Sequence, residues 1–312
     1  MDAIRTAALS KQFGRNMAVN NLSLQVTQGE IFGLVGPDGA GKTTIMRLLA
    51  GIMTPTSGDA WVYGYHIVRE AEALKQYISY MPQRFSLYPD LTVEENIRFY
   101  ADIFNVPRDL YTARSKELLS LSGLLSFADR QAQDLSGGMK QKLALICALI
   151  HTPRILLLDE PTNGVDPLSR REFWRILQEL RREQVTIFLS TSYMDEAERC
   201  DRVGLILQGR LLACGTPAAI KQAMPGSLVE IACSRPREVW PVLLTTLRPM
   251  SGGLFGDKIH VLLADNNPAT ALAAVEAVID QLGLVAEANL PPPTLEDVFM
   301  ALLAPSDRGA EQ

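Results

Sequence analysis

Gly36-Pro37-Asp38-Gly39-Ala40-Gly41-Lys42-Thr43-Thr44 has the spacing Gly-x-x-Gly-x-Gly-Lys-Thr, a form of the phosphate-binding P-loop. Immediately before it lies Ile31-Phe32-Gly33-Leu34-Val35, an apolar run of buried-strand length. Immediately after it, Ile45, Leu48 and Leu49 fall at helical spacing, so the loop joins a strand to a helix. That context suits the chemistry. Glycines let the backbone wrap a polyphosphate with its N–H groups turned inward. The helix N-terminus adds the positive end of its dipole where the phosphates sit. In such a loop a lysine at the position of Lys42 reaches the β- and γ-phosphates, and a hydroxyl at the position of Thr43 ligates Mg²⁺.

Upstream, Leu22-Ser23-Leu24-Gln25-Val26 alternates with period two and reads as a strand. Phe13 stands in a polar setting; stacking on a purine face and local packing are both open for it. Downstream, Ala60-Trp61-Val62-Tyr63-Gly64 and Ile78-Ser79-Tyr80-Met81 read as strands, the second stopped by Pro82. From about residue 85 to 150 the pattern turns helical, with breaks at Pro89, Pro107 and Gly123, as expected of a helical lobe inserted into an α/β core. Thr92 and Glu95 have capping-box spacing. The lobe closes with Leu135-Ser136-Gly137-Gly138-Met139. Met139, Leu143, Ile146 and Ile150 then recur at helical intervals, with Ser136 placed as N-cap. Such an end receives a phosphate or is simply a capped helix; these five residues alone do not choose.

Ile155-Leu156-Leu157-Leu158 is an unbroken apolar run, hence a buried parallel strand. It ends in Asp159-Glu160-Pro161. Two adjacent carboxylates there are costly unless they work or are paired. Asp159 is placed to hold Mg²⁺, and Glu160 to orient or deprotonate a water. Asp166-Pro167 opens a helix with the stripe Phe173, Ile176, Leu177 and Leu180. A strand at 185–190, a helix from Met194 to Cys200 and a hairpin around Gln208-Gly209 follow. Pro217, Pro225 and Gly226 mark a boundary. Beyond it the expected order is strand 227–233, helix 236–247, hairpin 251–264, helix 268–282, strand 284–289 and helix 294–303, a split β-α-β unit with a helical tail.

The 312 residues leave room for one large domain and a smaller one. With 47% hydrophobic and 21% charged residues, the composition is that of a globular protein. A net charge of −5 argues against a non-specific nucleic-acid binder. No apolar run has the length of a membrane span, and no signal-peptide pattern opens the chain, so a cytoplasmic location is expected. Cys147, Cys200, Cys214 and Cys233 lack metal-ligand spacing and read as reduced, mostly buried thiols.

The P-loop, Gln83, Leu-Ser-Gly-Gly, the apolar strand with Asp-Glu, and Asp166 stand in an order that resembles the ATP-binding cassette (ABC) family over residues 1 to about 220. Tyr193-Met194-Asp195-Glu196-Ala197-Glu198 and Leu295-Glu296-Asp297-Val298-Phe299 resemble ATPases of ABC-2-type exporters. Gly-Pro-Asp-Gly-Ala-Gly in the loop, with Ser190-Thr191-Ser192-Tyr193, is similar to the first cassette of tandem multidrug exporter ATPases. The resemblance implies a P-loop NTPase (RecA-like) α/β core with an antiparallel β subdomain and the helical subdomain, together residues 1–222. A small α+β accessory domain at 223–312 follows.

It also implies a head-to-tail pair of cassettes with ATP sandwiched between them, the second cassette being this chain or a relative. The other partner implied is an ABC-2-type membrane permease, which would hold the chain at the inner face of the cell membrane; no nucleic acid is expected. Gly36, Pro37, Asp38, Gly39, Ala40, Gly41, Lys42, Thr43 and Thr44 would hold the phosphates, and Phe13 would stack on adenine. Thr43, Gln83 and Asp159 would serve Mg²⁺, with Glu160 as general base. Ser136, Gly137 and Gly138 would cap the γ-phosphate of the partner's ATP.

The family usually places His where this chain has Ser192, which predicts slow hydrolysis with nucleotide binding intact. The competing functions are a soluble ABC ATPase outside transport and a nucleotide-gated regulatory module with little turnover. Phe85, Tyr88, Phe99 and Tyr100 are expected to form a groove for a permease helix, packing inside the lobe being the alternative.

Overall fold

The computed structural model describes residues 1–83, 87–283 and 286–303. The chain divides into two compact units, Met1–Cys214 and Gly215–Gln312. In chain order the first contains β1 (Asp2–Phe13), β2 (Asn16–Thr27), β3 (Ile31–Val35), α1 (Lys42–Leu49), β4 (Ser57–Val62), β5 (Tyr65–His66), α2 (Ala71–Leu74) and β6 (Ile78–Met81). The helical lobe follows as α3 (Val93–Ile103), α4 (Arg108–Ser122) and α5 (Gly137–Leu149). Then come β7 (Ile155–Asp159), α6 (Pro167–Arg182), β8 (Thr186–Thr191), α7 (Met194–Ala197), β9 (Arg202–Leu207) and β10 (Arg210–Gly215).

Two sheets share the core of this unit. β1, β2, β4 and β5 form an antiparallel sheet in the order β2-β1-β4-β5. The other sheet runs β10-β9-β3-β8-β7-β6, with β9, β3, β8, β7 and β6 parallel. β3, β7 and β8 are buried along their whole lengths, as a sheet covered on both faces requires. Phe32 of β3 and Phe188 of β8 stack at 5.5 Å in the core. Ile4, Leu9 and Leu22 of the antiparallel sheet pack into the same apolar cluster as α1.

The lobe is built on its caps. Thr92 and Glu95 form the expected capping box. The fully buried Asn96 donates to the carbonyls of Tyr88, Leu91 and Thr92 and accepts from the Tyr88 amide, which shapes the entry to α3. Ser136 caps α5 by accepting from the Met139 amide at 3.3 Å, and Asp166 caps α6 by accepting from the Ser169 amide at 2.9 Å.

Three local expectations change. The strand expected at 60–64 ends at Val62, because Tyr63 and Gly64 take φ of 52° and 87° and turn the chain into β5. The helix expected from Met194 to Cys200 ends at Ala197. Its last amides, Arg199 and Cys200, bond three residues back, to Glu196 and Ala197, so the turn tightens. Of the four thiols, only Cys147 and Cys200 are buried, while Cys214 is exposed and Cys233 half-buried.

The second unit contains α8 (Pro217–Gln222), β11 (Ser227–Cys233), α9 (Pro236–Leu247), β12 (Ser251–Phe255), β13 (Lys258–Leu263), α10 (Pro268–Gln281), β14 (Ala286–Asn289) and α11 (Leu295–Leu303). Its antiparallel sheet has the order β12-β13-β11-β14, the ferredoxin-like arrangement of a split β-α-β unit. Residues 284 and 285, which the sequence places at the start of the last strand, lie outside the described residues. The division comes eight residues before the expected boundary at 222, so α8 falls in this unit, where it packs against α11 and buries Ile220.

Candidate nucleotide site

The strand order places the site. β8 lies between β3 and β7, and β6 lies beyond β7, so the C-terminal ends of four parallel strands share one edge. Such an edge is where open α/β sheets take ligands. Onto it emerge the loop after β3, Gln83 after β6, Glu160 after β7 and Ser192 after β8.

The loop after β3 is closed by its own chain. The Gly36 amide bonds the Thr191 carbonyl at 3.3 Å, and the Ala40 carbonyl accepts from Gly209 at 2.9 Å. Gly41, the N-cap of α1, has φ of 103°, and a Cβ there would sit 2.3 Å from the Ala18 carbonyl, so glycine is required. Lys42 is buried. Its ammonium donates to the carbonyls of Gly36 at 2.7 Å and Pro37 at 3.0 Å, and lies 3.0 Å from Glu160 Oε1.

Asp159 and Glu160 are both buried and fully engaged. Asp159 Oδ1 accepts from the Ser190 hydroxyl at 2.7 Å and the Thr43 hydroxyl at 3.1 Å. The Tyr80 hydroxyl lies 3.4 Å from Asp159 Oδ2; burial and that negative charge push its pKa up to about 12, so it stays protonated. Glu160 takes a left-handed φ of 48°, fixed by its amide's bonds to the Ser190 carbonyl and hydroxyl at 3.2 and 3.0 Å. Its Oε2 accepts from Gln83 Nε2 at 3.0 Å and Asn163 Nδ2 at 3.2 Å.

Phe13, Asp38, Gly39, Gly41, Lys42, Thr43, Thr44, Gln83 and Glu160 line one open cleft of about 1130 Å³. Phe13 is 46% exposed at its edge, with the Lys11 ammonium 5.2 Å from its ring. Ser136, Gly137 and Gly138 do not line this cleft; they stand at the start of α5 in the lobe. Ser136 and Gly137 are exposed there, whereas Gly138 is buried. Ser192 is exposed and does not line the cleft either.

Ser190, Tyr80 and Asn163 were not singled out by the sequence; each acts through a neighbour in the sheet or loop, and only the paired register of Asp159 with Ser190 reveals the link. Gln208 and Arg210 also line the cleft, brought there by the tight turn between β9 and β10.

In the expected aromatic groove, Phe85 lies outside the described residues. Tyr88 and Phe99 pack at 4.4 Å, and Phe99 meets Tyr100 at 5.6 Å; Tyr88 is exposed and the other two rings are half-buried.

The model of the ABC transporter family matches residues 19–163. The probable multidrug ABC transporter ATP-binding protein YbhF of Escherichia coli K12 is 44% identical over 218 residues, covering 70% of this chain but only 38% of YbhF. The Nod factor export ATP-binding protein I of Rhizobium sp. N33 is 36% identical over 304 residues, 96% of each chain. This chain belongs to the ABC transporter family. A solved ATP-binding subunit of an ABC transporter, 30% identical, superposes with a TM-score of 0.64 over 70% of this chain and 92% of its own. That overlap accounts for the cassette's two-sheet core with an inserted helical lobe. The solved ATP-binding cassette MJ0796, 24% identical with a TM-score of 0.62, is a dimer in a post-hydrolysis state bound to ADP and Pi. Among the described residues, no helix of the cassette is long and apolar enough to cross a membrane.

Proposed function

We propose that this chain is the ATP-hydrolysing subunit of an exporter of drugs or other small molecules. It works at the inner face of the cell membrane with a second cassette and a separate ABC-2-type permease. The observation that carries the reading is the meeting of the P-loop lysine with the carboxylate after β7: Lys42 and Glu160 stand 3.0 Å apart in the cleft.

The residues divide the work. The backbone N–H groups from Gly36 to Thr44 and the Lys42 ammonium hold the β- and γ-phosphates. The Thr43 hydroxyl and Asp159 carboxylate, 3.1 Å apart, are hard oxygen donors that fit Mg²⁺. Bound there with ATP, Mg²⁺ neutralises charge on the phosphates. Glu160 accepts the proton of the water that attacks the γ-phosphorus; the bond to the β-phosphate oxygen breaks, leaving ADP and inorganic phosphate. Gln83 and Asn163 hold the Glu160 carboxylate in place. Phe13 offers its ring to adenine. The exposed Ser136–Gly137 tip of α5 caps the γ-phosphate bound by the second cassette.

The test is phosphate release by the full-length chain with Mg-ATP, compared with Glu160→Gln. Loss of release in the variant, with nucleotide still bound and the chain shifting to a pair by light scattering, is the expected result. Full-rate release by Glu160→Gln, or no nucleotide binding by the unsubstituted chain, refutes it.

A further inference from the structure

One carboxylate outside the cleft is buried between the two loops that carry the proposed chemistry. Glu196, in α7, is 1% exposed. Thr162, two residues beyond Glu160, donates its hydroxyl to Glu196 Oε1. Thr191, the residue before Ser192, donates to Glu196 Oε2 at 2.7 Å. The Thr191 hydroxyl oxygen also accepts from the Tyr193 amide at 3.0 Å, which closes the turn presenting Ser192. The Thr191 carbonyl receives the Gly36 amide, so the same strand end is fastened to the start of the P-loop. Arg170 of α6 guards the outer side. Its Nε lies 3.7 Å from Glu196 Oε1, and its guanidinium stacks 4.2 Å from the Tyr193 ring centre.

A buried carboxylate is expensive unless its oxygens are engaged. Apolar filler would serve packing alone at least as well. Here each oxygen is engaged by a hydroxyl from a different segment, one in the loop running from Glu160 and the other at the end of β8, leading into Ser192. We propose that Glu196 is a positioning residue that holds these two segments at a set spacing across the γ-phosphate. The inference rests on the reading of Glu160 as general base. Glu196 touches neither nucleotide nor attacking water; it acts through Thr162 and Thr191. Its effect therefore falls on the chemical step, because the groups that bind the phosphates sit on the P-loop backbone and Lys42.

The experiment uses the full-length chain and the variants Glu196→Gln, Thr191→Val and the two combined. Three quantities are read: kcat for Mg-ATP, Kd for a fluorescent ATP analogue, and the folded fraction by circular dichroism. Glu196→Gln is expected to lower kcat about 10- to 100-fold, the range for a small displacement of a catalytic group. Kd is expected to stay within about twofold. Thr191→Val lowers kcat similarly, and the combined variant falls no further than the slower single one, as for residues acting as a unit. Should Glu196→Gln fail to fold, Thr191→Val alone carries the same expectation. An unchanged kcat, a kcat loss that only tracks lost folded protein, or multiplying losses in the combined variant overturns the inference. An inactive unsubstituted chain, or full activity in Glu160→Gln, overturns the catalytic reading and this one with it. Normal behaviour of those two beside a fully active Glu196→Gln overturns the positioning role alone.

Discussion

Replacing Ser192 by His is expected to raise kcat without changing nucleotide affinity. Ser192 is exposed and its side chain hydrogen-bonds to nothing among the described residues, so no native bond is lost. A surface substitution of this kind changes stability by no more than about 0.5 kcal/mol. The backbone carrying it is already held, since Tyr193 donates to Thr191 Oγ1 at 3.0 Å and Thr191 to Glu196 at 2.7 Å. An imidazole there starts from a fixed point. One donor aimed at transition-state charge contributes about 2.7–4 kcal/mol, or roughly 10²–10³ in rate. A water held by the serine would already supply part of this, leaving a deficit of up to about 2 kcal/mol, about thirtyfold. The expected rise in kcat is therefore up to about thirtyfold where the serine works through water and about 10²–10³-fold where it does not, so its size tells the two apart. The assay is steady-state phosphate release by the chain assembled with its membrane partner, with Kd measured separately. An unchanged kcat in a folded, nucleotide-binding variant refutes the idea that Ser192 limits turnover.

Two further expectations follow from local geometry. Gly41→Ala places a Cβ 2.3 Å from the Ala18 carbonyl at a φ of 103°. Backbone strain of about 1–3 kcal/mol should weaken ATP binding about 5- to 150-fold by titration calorimetry. His151 is stacked 3.7 Å from Phe104, with Nε2 3.1 Å from the Ile78 carbonyl and a buried Nδ1 that has no hydrogen-bond partner among the described residues. Burial lowers its pKa below the ordinary 6.5, although the bond to Ile78 opposes this. Between the folded value and 6.5 the unfolded chain binds more protons. The stability it contributes is complete above pH 6.5 and is lost as pH falls through the folded value. Calorimetric Tm should therefore drop less between about pH 6.5 and pH 5 in His151→Phe than in the unsubstituted chain.

The elements were legible where burial leaves a local mark. β3 and β7 are unbroken apolar runs, and both are buried throughout. Asp166 with Pro167, and Thr92 with Glu95, announce their helices by chemistry confined to four residues. The second unit was legible almost element by element, because Pro and Gly punctuate it. Pairing between distant strands leaves no such mark. Nothing near Ser190 says that β8 lies between β3 and β7, yet that placement sets Ser190 against Asp159 and Thr191 against Gly36. The Glu196 carboxylate was invisible for the same reason: its two hydroxyl partners lie 34 and 5 residues away, in the loop after β7 and at the end of β8. The early end of α7 depends on a tightened turn that residue types alone do not announce.

The two adjoining glycines at the tip of α5 have different neighbours. A methyl group on Gly138 would land 2.2 Å from Ser169 Oγ of the same chain, whereas one on Gly137 would meet nothing within 4 Å. Alanine at 138 would injure the cassette's own interior before any neighbour arrived. Only alanine at 137 interrogates what approaches from outside. Reading both as equal probes of a nucleotide proposed to be shared would confuse a misfit within one molecule with a failed handshake between two.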